Sequence, residues 1–233
     1  MLLKNLCVWF LCVFLTAGLP FLCLAQELEP RRWSHLPTGA NFAGAGYVYT
    51  EADISFDPVL RIEDAEKKLH TWAARYIRTF ELFRKSARIG LVQAYQRGRW
   101  KGLVDGVPKS VRRGGLFDSV MRFAINLYGA PPLKGEEFAA YRAKVDVETI
   151  IGTALVVQLP TGEYKDGKLI NLGTNRYTFR PQLGMVHNRG NWSMELTGAV
   201  YLYTDNNDFN DGNKLETDPL YTLQTHLVYT FRP

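Results

Sequence analysis

From residue 41 onward, apolar and polar residues alternate with a period of two, the pattern of strands with unlike faces. In Leu116–Tyr128, Met121, Phe123, Ile125 and Leu127 stand against Asp118, Arg122, Ala124 and Asn126. In Val147–Leu159, Ile151, Leu155, Val157 and Leu159 oppose Gly152, Ala154 and Gln158. Arg176–Asn188 sets Tyr177, Phe179, Leu183 and Met185 against Arg180, Gln182 and Gly184. Trp192–Tyr203 sets Trp192, Met194, Leu196, Val200 and Leu202 against Ser193, Glu195, Thr197 and Tyr201. Leu220–Arg232 sets Tyr221, Leu223, Leu227, Tyr229 and Phe231 against Thr222, Gln224, His226 and Thr230. Phe42–Thr50 is a further strand, with Gly44 and Gly46 on one face. Leu69–Phe80 and Ala87–Gln96 read as strands with blurred alternation.

These strands run to about 10–13 residues, the length a tilted strand needs to cross a bilayer, whereas strands of soluble proteins average about 5 or 6. The connectors alternate in length, as in barrels with short turns at one end and longer loops at the other. The stretch 51–68 is long, Glu81–Ser86 short, 97–115 long, 160–175 long, His187–Asn191 short and 204–219 long. One connector, 129–144, is long where a short turn is due, and its Glu136–Lys144 half predicts a brief helix. Aromatic residues such as Phe80, Tyr95, Tyr128, Tyr177, Trp192, Tyr203 and Tyr221 gather near strand ends, either as two interfacial girdles or because aromatics favour sheets. The fold class expected is all-β, a transmembrane antiparallel up-and-down barrel of about eight visible strands, or part of a larger barrel.

The N-terminus changes the compartment. An apolar run from Leu6 to Leu24 follows Lys4 and ends in Cys23-Leu24-Ala25, a secretory signal cleaved after Ala25. Residues 26–40 then form an N-terminal periplasmic segment, and 41–233 the barrel. All three cysteines, Cys7, Cys12 and Cys23, fall within the signal, so the mature chain enters an oxidising space without a disulfide framework. Hydrophobic residues at 46% and charged residues at 22% are ordinary for a folded protein. The net charge of +5 is spread along the chain, which argues against a nucleic-acid partner.

Candidate chemistry is sparse. The four histidines are His35, His70, His187 and His226, and none forms a His-x-Ser or Ser-x-His pair that would share a strand face with a nucleophile. Ser34 and His35 are adjacent and in a strand would point apart. No catalytic residue, metal ligand or cofactor site is assigned. The acidic loop 205–218 fails the spacing of a helix–loop–helix calcium site and reads as a surface loop. A charge facing lipid costs about 2–4 kcal/mol at the bilayer midplane. The polar residues Arg122, Asn126, Arg180, Gln182, Glu195, Gln224 and His226 are therefore expected to line the interior, where unlike charges pair or border a water path. A basic loop carrying Arg97, Arg99, Lys101, Lys109, Arg112 and Arg113 reads either as a contact for lipid headgroup phosphates or as an ordinary exposed loop. Pro181 lies inside a strand that a barrel would pair on both sides, so a bulge or local break is expected there.

Several words of the sequence resemble a known family. They are LPTGANFAGAGYVYTEADI (36–54), INLYGAPPLKGEEFAAYR (125–142), LPTGEYKDGKLINLGTNRYTFRPQLG (159–184) and DPLYTLQTHLVYTFRP (218–233). They are similar, in consistent order, to the outer-membrane transporters of the MetA-pathway of phenol degradation. The resemblance implies a non-enzymatic β-barrel in the outer membrane of a Gram-negative bacterium. It implies passage of small hydrophobic or aromatic solutes, contact with outer-membrane lipid, and insertion by the outer-membrane assembly machinery. Family members continue past the Phe231-Arg232-Pro233 at which this sequence stops, so the resemblance also implies a C-terminally truncated barrel. Two other readings compete: a soluble secreted β-sandwich that binds a ligand, and a barrel enzyme acting on lipids.

Overall fold

A computed structural model describes residues 31–54, 62–168, 170–210 and 212–231; the expected signal over residues 1–25 lies outside them. The chain forms β1 (Asn41–Ile54), β2 (Ile62–Leu82), β3 (Lys85–Val104), β4 (Val107–Leu116) and β5 (Val120–Tyr128). A helix α1 (Gly135–Lys144) then precedes β6 (Val147–Gln158), β7 (Thr178–Arg189) and β8 (Trp192–Tyr203). Last come β9 (Asn206–Phe209), β10 (Asn213–Leu215) and β11 (Leu220–Tyr229). Eight strands pair in the order β1-β2-β3-β5-β6-β7-β8-β11, with β4 joined to β3, and β9 and β10 form a separate small hairpin. Every pairing in the main sheet is antiparallel.

This is the all-β, up-and-down architecture that the alternation predicts, curled into a half-barrel. Among the described residues β1 and β11 each pair on one side only, and no second sheet packs on the convex face. The sandwich reading therefore does not describe this fold. Among the described residues no helix is long and apolar enough to cross a membrane.

The pleat sorts the faces as the pattern requires. In β7, Thr178, Arg180, Gln182, Gly184 and Val186 are buried on the concave side while Phe179, Pro181 and Leu183 are exposed on the convex side. Large apolar side chains cover that convex side: Leu183, Leu223 and Leu227 are 60%, 73% and 68% exposed. The core is the inside of the curl, where Trp33, Ala124, Ala130, Ile150, Ala154 and Val186 cluster. Rings mark both ends of the strands. Trp192, Tyr229 and Phe231 pack together at the short-turn end, and Tyr177 stacks on Phe179 at the other.

Two expected loops are corrected. The stretches 51–54 and 62–68 belong to β1 and β2, and 97–104 continues β3, giving β2 and β3 lengths of 21 and 20 residues. The basic stretch 97–115 is a hairpin rather than a loop. Its turn is Asp105-Gly106, both at positive φ, and β4 returns along β3 with Arg99 opposite Arg112. Asp-Gly between extended runs is a hairpin signal, masked here by the density of cations around it. The brief helix in 129–144 is present as α1, with Glu136 and Glu137 in its first turn and Arg142 and Lys144 in its last, matching the helix dipole.

The ladder does break at Pro181. Against β6 the register continues through Leu155 and Pro181. Against β8 it passes from Phe179 opposite Leu202 to Gln182 opposite Ala199, omitting Arg180 and Pro181 without a register shift. Proline lacks the donor such a ladder needs, so the result is a gap and not a bulge.

Candidate functional site

Residues 31–40, the described part of the expected 26–40 N-terminal segment, run across the concave face. They open with a turn in which the Ser34 N–H donates to the Arg31 carbonyl at 3.2 Å. The Arg31 N–H reaches both carboxylate oxygens of Glu195, at 2.7 and 2.8 Å. From the opposite wall Arg88 donates to the carbonyls of Arg32 and Ser34. One anion and one cation thus hold the turn from two sides, each in a charge-assisted bond.

Trp33, fully buried, is the centre of this arrangement. One row of the concave face runs Asn126, Gly152, Gly184, Thr197, Gln224 across five strands. The indole lies on the paired glycines of that row. A Cβ at residue 184 would stand 2.0 Å from its Nε1, and one at residue 152 would stand 2.6 Å from its Cε3. The Nε1–H donates to Thr197 Oγ1 at 2.8 Å. The Arg122 guanidinium lies 5.0 Å from the ring centroid, a cation–π contact.

His35 is tied down beside it. Its Nδ1 lies 3.1 Å from Glu148 Oε1 and its Nε2 2.8 Å from the Pro131 carbonyl. Tyr141 and Arg142 of α1 donate to the same carboxylate at 3.0 and 2.8 Å, and Phe138 and Tyr141 present their rings edge-on to the imidazole. Burial, together with the Glu148 charge, raises the Tyr141 phenol above its ordinary pKa. Thus α1 clamps the incoming segment at the short-turn end.

The seven expected interior residues all face the concave side, although they do not form one cluster. Arg122 and Gln182 meet at 3.5 Å. Asn126 donates to Ser86 Oγ at 2.9 Å. Arg180 donates to the Tyr201 hydroxyl at 2.6 Å across the gap beside Pro181. Glu195 holds the Arg31 turn, and His226 lies opposite Glu195 on β11, two residues from Gln224. Asp118, read as part of the polar strand face, instead precedes β5. It accepts from the Gly162 and Thr174 N–H groups, the Thr174 hydroxyl and Gln158, pinning the 159–177 connector.

Trp33, Arg75, Arg88 and Glu148, which the sequence did not single out, complete the site with Thr197 and the Gly152–Gly184 pair, which alternation placed on polar strand faces. A cavity of about 250 Å³ lies between the turn and the wall, lined by Arg31, Arg32, Arg75, Arg88 and Arg122 with no carboxylate. The only legible hint was two glycines, Gly152 and Gly184, on polar strand faces, because what they accommodate lies far away in sequence.

The pleat also divides the basic hairpin. Arg97, Arg99, Lys101 and Arg112 occupy one face, whereas Lys109 and Arg113 share the other with Trp100 and Val111. Among the described residues no ion pair joins any of the six to a carboxylate, and Arg99 donates to Ser110 at 3.2 Å. The remaining histidines have local partners: His70 with the Tyr47 hydroxyl at 2.7 Å and His187 with Thr149 at 2.8 Å. Among the described residues no group of three His, Cys, Asp or Glu side chains is placed to hold a metal ion.

Residues 66–233 match the family described as "Putative MetA-pathway of phenol degradation". The fold is similar to the crystal structure of an outer membrane channel from Pseudomonas putida F1, with a TM-score of 0.62 and 21% sequence identity over 89% of this chain and 72% of that one. No curated protein matches.

Proposed function

The chain belongs to this phenol-degradation family, and from that premise we propose that it is a non-enzymatic outer-membrane channel protein for small hydrophobic or aromatic compounds. One observation carries the reading: the same strands present a convex face of exposed Leu, Phe, Tyr and Trp and a concave face of Arg, Gln, Glu and Thr. Only a sheet with lipid outside and a polar path inside makes both faces favourable, since exposed apolar patches of this extent mark an interaction surface in a soluble protein. The similarity of fold to an outer membrane channel supports the same reading.

In this reading the exported chain sits in the outer membrane of a Gram-negative bacterium after insertion by the assembly machinery, with lipid around Leu183, Leu223 and Leu227. The outward cations Arg97, Arg99, Lys101 and Arg112 meet headgroup phosphates. The Trp33 segment fills the interior and sets how wide the path is. Solute moves past the arginine-lined cavity along the concave wall. No nucleic-acid partner and no cofactor enter this function.

The test is fractionation followed by reconstitution. The protein is expected in the outer-membrane fraction, with heat-dependent gel migration in detergent, and to make lipid vesicles permeable to a small aromatic alcohol. Recovery as a soluble periplasmic protein overturns the reading. Hydrolysis of phospholipid or ester substrates by the purified protein would favour the enzyme reading instead.

A further inference from the structure

The long-loop end of the concave face holds a second cavity, of about 210 Å³, distinct from the arginine-lined one. Its apolar wall comes from Ile54, Ala65, Trp100, Val104, Val111 and Ile170. Lys109, Arg113 and Lys168 also line it, while Lys101 and Glu66, paired across β3 and β2 on the opposite face, border it. The register explains the grouping: Gly98 opposes Arg113, Trp100 opposes Val111 and Gly102 opposes Lys109, so these residues share one face of the β3–β4 hairpin. Gly98 leaves room for the Trp100 ring, because a Cβ there would stand 2.4 Å from it.

Arg113 carries the charge argument. Its Nε is buried and has no hydrogen-bond partner among the described residues. A buried unsatisfied donor of this kind is costly and calls for an acceptor. The cavity supplies no acceptor aimed at it, and it combines an excess of cations with a mostly apolar wall. Its volume exceeds the roughly 150 Å³ of an apolar cavity that holds benzene.

We propose that this cavity binds a small amphipathic carboxylate, with a body the size of one aromatic ring against Trp100 and Val111 and its carboxylate on Arg113 and Lys109. This rests on the channel reading and makes the cavity a capture station on the solute path. A lipid phosphate is the less fitting occupant. Lipid lies against the convex face, where the pleat puts Arg97, Arg99 and Arg112, and Arg113 and Lys109 project the other way.

The experiment uses the full chain folded in detergent, titrated calorimetrically with benzoate, benzyl alcohol and inorganic phosphate. Benzoate is expected to bind in a saturable manner, about tenfold more tightly than either comparator, as expected for a charge-assisted contact added to an apolar one. Arg113→Gln and Lys109→Gln are each expected to remove most of that preference, with heat-dependent migration confirming that they fold. Equal binding of benzoate and benzyl alcohol, phosphate binding as tight as benzoate, or unchanged benzoate binding in both variants overturns the proposal. Salt permeability of vesicles carrying the same preparation separates the two readings. Permeable vesicles without benzoate binding reject this site alone; benzoate binding with impermeable vesicles rejects the channel reading alone.

Discussion

Trp33 and Gly184 stand so close that a Cβ on residue 184 would lie 2.0 Å from the indole nitrogen. The relationship joins a residue near the expected mature N-terminus to the middle of a strand some 150 positions later. The glycine gives up side-chain packing in the strand so that the indole can approach the backbone and reach Thr197.

Gly184→Val is therefore expected to expel the indole and widen the path. Vesicle permeability should rise, and Trp33 fluorescence should shift toward that of a solvent-exposed indole. Trp33→Ala should raise permeability as well. It should also cost about 3–5 kcal/mol in denaturant unfolding of the reconstituted protein, the range for emptying a large aromatic site.

Glu195→Gln keeps the shape but removes the charge that receives the Arg31 N–H. The loss expected is about 1–2 kcal/mol. Because that energy holds the turn and not the sheet, the expected readout is faster proteolytic cleavage near Arg31 and Arg32, with strand content by circular dichroism unchanged.

Leu183→Arg and Gln182→Leu test the two faces at adjacent positions. Placing a guanidinium on the convex face should destabilise the protein in vesicles by about 2–4 kcal/mol if residue 183 lies near the bilayer midplane. Gln182→Leu faces inward and should leave membrane insertion unchanged, while breaking the contact with Arg122. Comparing the fraction inserted and the denaturant midpoint of the two variants decides the matter.

Arg75→Glu changes the charge of the arginine-lined cavity from its β2 wall. The preference for anions over cations, read from the reversal potential under a salt gradient, should fall severalfold. An unchanged reversal potential would place the conducting path elsewhere.

Pro181→Val restores a backbone donor where the β7–β8 ladder is interrupted. Stability is expected to rise by about 0.5–1.5 kcal/mol, with new protection of the residue 181 amide from hydrogen exchange. Loss of stability would show that the gap is required by the Arg180–Tyr201 contact that spans it.

The strands from β5 onward were legible because alternation is local: Leu155 and Leu183 declare their face through their immediate neighbours. The far halves of β2 and β3 were not, because Glu66–Lys68 put charges on both faces and Arg97, Arg99 and Lys101 put cations on the face that is apolar elsewhere in the sheet. The seven interior residues were legible for the same reason as the strands. Their partners were not, since Arg31, Ser86 and Tyr201 come from separate elements.

By itself the sequence determined the two-faced strands, their antiparallel succession, the break at Pro181 and the inward set of polar residues. Each of these follows from side-chain alternation or from a missing donor within one strand. The tertiary structure alone decided that residues 31–40 enter the curl, that Trp33 rests on a glycine pair, and that the basic hairpin turns four cations outward and two inward. Those outcomes depend on register between strands and on contacts across 113 to 164 positions of chain, distances over which no local pattern carries information.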